Sequence, residues 1–139
     1  MEKWKRFGML LVCVAMMGMF LIGCTIKDGG NTKLRDVEFT VLAEDEIPPE
    51  FLEFITGKQA DPFKLTYTTD QYLYIAAGYG KQESGGYSIA VKDCYMTENA
   101  LVFDTELIGP SASENIMPGA SYPYIVIKTE KTDATVIFQ

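Results

Sequence analysis

The sequence predicts an all-β domain: a compact antiparallel sandwich or barrel of about seven strands with one short helix. Three observations carry that prediction. Apolar-polar alternations recur from Val37 to the C-terminal end, stretches rich in Gly, Pro, Ser, Asn and Asp separate them, and just one segment has the proline entry and acidic first turn of a helix. The regular succession of strands and helices that builds a parallel α/β sheet is missing.

The chain opens with Lys3, Lys5 and Arg6, then an apolar stretch over residues 7–22 that ends in Leu21-Ile22-Gly23-Cys24. A basic start, a short apolar segment and a small residue at the boundary are the parts of a secretory signal. At 16 residues the apolar stretch falls short of the roughly 20 that cross a bilayer. The polar Thr25-Ile26-Lys27-Asp28-Gly29-Gly30-Asn31-Thr32 that follows reads as a tether, not a stop-transfer flank. The Leu-Ile-Gly-Cys ending resembles the lipobox of bacterial lipoproteins, and that resemblance implies cleavage before Cys24 and a diacylglycerol thioether on its sulfur. The expected organisation is a lipoprotein signal peptide over residues 1–23, a flexible tether over 24–34 and a β-domain over 35–139. The expected location is extracytoplasmic, lipid-anchored to the bacterial cell membrane.

Within the domain, Val37-Glu38-Phe39-Thr40-Val41 alternates and is the expected first strand. Pro48 and Pro49, then Glu50 and the apolar Phe51, Leu52, Phe54 and Ile55, predict the helix, with Gly57 as its stop and one end of a sheet as its place. Phe63-Lys64-Leu65-Thr66-Tyr67 and Tyr72-Leu73-Tyr74-Ile75-Ala76-Ala77, joined by the polar Thr68-Thr69-Asp70-Gln71, read as a hairpin. Residues 78–86, with four glycines, break regular structure. Strands follow over 87–91, with a strand-like continuation to Met96, and over 100–108. A second Gly- and Pro-containing loop spans 109–121, and strands over 124–128 and 134–138 complete the set.

Removal of residues 1–23 leaves 116 of the 139 residues, enough for one domain. The signal holds three of the 12 basic and one of the 19 acidic residues, so the mature chain keeps nine basic and 18 acidic residues, a formal charge of −9. That charge opposes binding to nucleic acid and gives no electrostatic grip on anionic lipid heads. Attachment to the membrane is therefore expected through acyl chains on Cys24. With Cys13 in the signal and Cys24 lipidated, Cys94 is the remaining thiol and no disulfide can form within the domain.

The sequence contains no histidine, which removes the commonest general base and the commonest metal ligand. Lys81-Gln82-Glu83-Ser84 has the reverse order of a Ser-x-x-Lys pair. Glu44-Asp45-Glu46, with Glu50 and Glu53, lacks the alternating ligands and central glycine of a calcium loop. The glycines around Lys81 precede a strand, so they do not build a phosphate cradle. No catalytic residue, metal or cofactor is expected. What stands out is two loops: one offers Gly78, Tyr79, Gly80, Gly85, Gly86 and Tyr87, the other Gly109, Pro110, Tyr122 and Pro123. Permissive backbone beside tyrosines suits recognition of a partner's surface.

Three pieces in order, Gly78-Tyr79-Gly80-Lys81-Gln82-Glu83-Ser84-Gly85-Gly86-Tyr87-Ser88-Ile89, Leu107-Ile108-Gly109-Pro110 and Tyr122-Pro123-Tyr124-Ile125-Val126-Ile127-Lys128, resemble the C-terminal domain of the protease-complex subunit PrcB family. The resemblance runs from about Phe63 to Phe138. It implies an all-β, non-enzymatic lipoprotein that binds and stabilises a secreted or surface protease. The Gly85-Gly86-Tyr87 piece is also similar to the loop of chagasin-like protease inhibitors, although their Asn-Pro-Thr start and tryptophan have no counterpart in the domain. The alternatives are such an inhibitor, or an envelope lipoprotein that binds another ligand.

Overall fold

The computed structural model describes residues 32–111 and 116–139. The signal peptide, Cys24, most of the tether and the centre of the 109–121 loop lie outside the described residues. Two four-stranded sheets and a two-stranded ribbon are present. The first sheet runs β1 (Arg35–Asp36), β6 (Ser88–Met96), β7 (Ala100–Ile108), β10 (Thr135–Phe138). The second runs β2 (Thr40–Val41), β9 (Tyr124–Glu130), β4 (Tyr72–Tyr79), β3 (Pro62–Thr68), and the ribbon pairs β5 (Gln82–Ser84) with β8 (Pro118–Ser121). The sheets stay open at their edges, so the architecture is a sandwich and no barrel closes.

The order of layers follows from β4. Six consecutive residues, Leu73 to Gly78, are buried. Leu73, Ile75 and Ala77 join Ile125 and Ile127 of β9 and Cys94, Leu101 and Phe103 of the first sheet in the core between the sheets. Tyr74 and Ala76 point the other way, with Val126, onto Phe51 and Ile55 of helix α1 (Pro49–Lys58) and onto Phe63. A strand covered on both faces reads as a continuous apolar run because neither side meets water.

The helix starts at Pro49, where a missing N–H costs nothing, and carries Glu50 in its first turn and Lys58 in its last. It runs one residue past Gly57 and lies across a face of the second sheet, not at an end as the sequence suggested, because Phe51 and Ile55, four apart, both face inward. Phe51 stacks on Tyr67, ring centroids 5.3 Å apart, and the Tyr67 hydroxyl donates to Glu50 Oε2 at 3.0 Å.

Three further differences from the sequence reading have physical reasons. The expected first strand over 37–41 is a crossing: β1 pairs with β6, β2 pairs with β9, and the chain between them passes from sheet to sheet. Val37 drops into the core on the way, its N–H bonded to the Cys94 carbonyl at 2.9 Å, which produces the alternation without one strand. β10 lies parallel to β7, Phe138 beside Phe103, because two strands of the opposite sheet and ribbon intervene between them. Finally, the two loops are paired with each other, through β5 and β8.

Candidate functional site

The ribbon prolongs the antiparallel pair β4 and β9. Their last matched residues are Gly78 and Tyr124; beyond a bend, Gln82 pairs with Ser121 and Ser84 with Pro118. Gly80, at φ +75° and pressed against Pro62, makes the bend on one arm, and Tyr122-Pro123 makes it on the other. The arms are tied by Tyr79 N–H to the Pro123 carbonyl (3.1 Å) and Gly85 N–H to the Met117 carbonyl (3.0 Å). The Ser121 hydroxyl adds a bond to the Ser84 carbonyl at 2.7 Å.

The ribbon also folds over the end of the sandwich where β6 begins and β7 ends. Tyr79 and Thr105 of β7 share a hydroxyl–hydroxyl bond of 2.6 Å, joining the two sheets there. Gly86, at φ +88°, brings its Cα against Pro110, and Gly109 lies against the Tyr87 ring. All ten residues singled out in the two loops thus come together at one end of the molecule. They divide by task. Gly78 and Gly80 are buried and Tyr79 is half-buried with its hydroxyl engaged, so these three shape the scaffold. Gly86, Gly109 and Tyr122 are exposed, with Gly85, Tyr87, Pro110 and Pro123 half-buried beside them.

The surface that this end presents is apolar beyond what those residues supply. Met117 is 72% exposed, and Ile108, Ile116 and Tyr122 are exposed with it. Met117 packs against Gly85, and Ile108 stands next to Gly109. Large apolar side chains left in water beside a paired ribbon mark a contact surface more than a solvated loop. Sequence reasoning missed Ile108, Ile116 and Met117; the signal was an apolar pair set inside a loop otherwise made of Gly, Pro, Ser, Ala, Glu and Asn.

Among the described residues no three His, Cys, Asp or Glu gather as metal ligands, and no buried side-chain N or O lacks a partner. Glu44, Asp45 and Glu46 form an exposed 3-10 turn that leads into the helix. Cys94 is buried between the sheets, and burial, helped by the neighbouring Asp93 charge, pushes its thiol up to about 11. Cys94 should therefore resist iodoacetamide at pH 8 until urea unfolds the domain; rapid labelling of Cys94 in the folded protein would contradict this burial. The folded state holds this proton more tightly than the unfolded state, whose thiol titrates near its ordinary 9.0. Its contribution to stability is complete below pH 9 and is lost as the pH rises toward 11. A Cys94→Ala variant should lack that part of the alkaline loss in urea titrations.

A cleft of about 1010 Å³ opens at the opposite end, where the 37–40 crossing meets the end of β9. Arg35, Lys128 and Lys131 line it together with Asp36, Glu38 and Glu130, so it carries no net charge to select a ligand.

Residues 73–130 match the family model described as PrcB C-terminal. The matched span runs from the second residue of β4 to the last of β9 and contains both arms of the ribbon. No curated protein and no solved structure matches the chain.

Proposed function

Over residues 73–130 the chain belongs to the PrcB C-terminal family, and on that premise we propose that it is a non-catalytic subunit that binds a secreted or surface protease through the ribbon end of the sandwich. The observation that carries the reading is the exposed apolar set Ile108, Ile116, Met117 and Tyr122, in which Met117 and Tyr122 flank β8 of the paired ribbon and Ile108 ends β7. A contact surface of this kind needs rigid backing, since a partner then meets side chains that have little freedom left to lose. The family supports a protease as the partner, and tyrosine and methionine supply area and adaptability at such contacts.

Replacement of Met117 and Tyr122 together by Ser should weaken capture of a co-expressed candidate protease by about tenfold or more, with the urea midpoint unchanged. Equal capture by both forms would remove the ribbon from the interface. Attachment is proposed through lipid on Cys24: Cys24→Ser should abolish incorporation of labelled fatty acid, and continued incorporation would overturn the anchor.

A further inference from the structure

The first sheet has a strand's width missing beside β6. On one side β6 is paired along its length with β7, but on the other β1 meets only Tyr95 and Met96, with Val37 N–H reaching Cys94. Among the described residues no strand pairs with that side of Ser88, Ile89, Ala90, Val91 and Lys92. In an antiparallel pair, successive residues alternately direct their N–H and C=O toward the partner and away from it, so this stretch offers outward backbone groups in strand geometry. The open stretch is bounded at both ends: Gly86 and the ribbon stand before it, and a bulge at Lys92 ends it. Just beyond, the Asp93 carboxylate takes the Cys94 N–H at 3.0 Å and meets Lys33, which is also paired with Asp36.

The sandwich interior is open at the same seam. Val41 lies directly across from Ile127, a core residue, and so shares its inward face, yet it is 52% exposed. Ile89 and Val91 face that core from β6 and are only half-buried. An added strand would cover these apolar groups with alternate residues. Its other residues would lie on the outer face, beside Ser88 and Ala90. These are small enough for a long side chain to cross them, and Glu106 stands directly beyond Ala90, with Asp104 facing Asp93. Strands are spaced about 4.8 Å apart, so a lysine on the new strand reaches Glu106 over one intervening strand.

Among the described residues none supplies the occupant: β1 runs antiparallel to β6 with Arg35 at Met96, so residues 32–34 lie beyond the Met96 end, and Gln139 is bonded to Phe103 and Thr105 on the far side of β7.

We propose that the Ser88–Lys92 edge of β6 receives an extended segment of the partner protein, alternating apolar and basic residues, as an added strand. This rests on the protein-binding reading and places part of the contact on backbone. The test is hydrogen-exchange mass spectrometry on the full chain in detergent micelles, with a blocked heptapeptide alternating valine and lysine. The peptide should slow exchange over residues 88–92 by about fivefold or more. A version N-methylated at alternate amides should have no effect, and a valine–glutamate version should act only on Glu106→Lys protein. No slowing, equal slowing by the N-methylated peptide, or protection at β3 or β10 instead would overturn the proposal. So would protection that rises with protein concentration before peptide is added, which would identify a second copy as the occupant. Because the Met117 and Tyr122 variant reads capture and this measurement reads β6 alone, failure of one is separable from failure of the other.

Discussion

Phe103→Ala should lower the free energy of unfolding by about 3–5 kcal/mol, read as a shift of the urea midpoint at constant slope. Phe103 is fully buried in β7, which has neighbours on both sides: Cys94 of β6 lies opposite it and Phe138 of β10 beside it. The Phe138 ring meets it edge-on, centroids 6.1 Å apart. Strands hydrogen-bonded on both flanks cannot slide into the vacated space, so most of the cavity would persist. No disulfide ties the domain, since Cys94 is its free thiol, and the loss falls on a total of about 5–15 kcal/mol typical of such domains. A loss below about 1 kcal/mol would mean that the sheets close over the cavity, contrary to the register described.

Gly78→Ala should cost about 2–3 kcal/mol, for the opposite reason: there is no room. A methyl placed at Gly78 would come within 2.1 Å of Phe63 Cε1. Phe63 sits directly opposite on β3 and Tyr124 on β9, and their rings are 6.4 Å apart, so the Phe63 ring lies across the bare glycine backbone. Displacing that ring uncovers the layer between the second sheet and helix α1, where Phe63 is buried. A variant in which Phe63→Ala accompanies Gly78→Ala should lose less than the two single costs added, because each removes the other's clash or gap. Strict additivity would show that the glycine matters for another reason.

These two residues also show what could be read from the chain alone. Phe103 lies in Ala100-Leu101-Val102-Phe103, an apolar run that any strand reading places inside. Gly78 stands in a glycine-rich break that reads, in sequence, as partner contact; its partner Phe63 comes from another strand and appears only once the register is known. The same distance in sequence hid the pairing of β5 and β8. Strands of three and four residues built from Gln, Glu, Ser, Pro, Gly and Ala have no β-propensity to betray them, and they exist because β4 and β9 deliver them side by side. The 37–41 segment misled for a different reason: alternation records which residues face the core, not which sheet they belong to. The candidate surface was legible as two loops at the right places. Its apolar content was not, since loop reading by turn residues passes over Ile116 and Met117.

The chain enters the sandwich at the Met96 end of β6, where Leu34 N–H bonds to the Met96 carbonyl, whereas the ribbon lies at the Ser88 end. Nine residues of strand separate the two ends, about 30 Å of nearly rigid length. With lipid on Cys24 as proposed, the membrane would lie on the Met96 side of the sandwich. The sandwich would then serve as a riser, holding its contact surface about one strand length further from the headgroups. A protease held there would meet its subunit at that height and be kept clear of the bilayer.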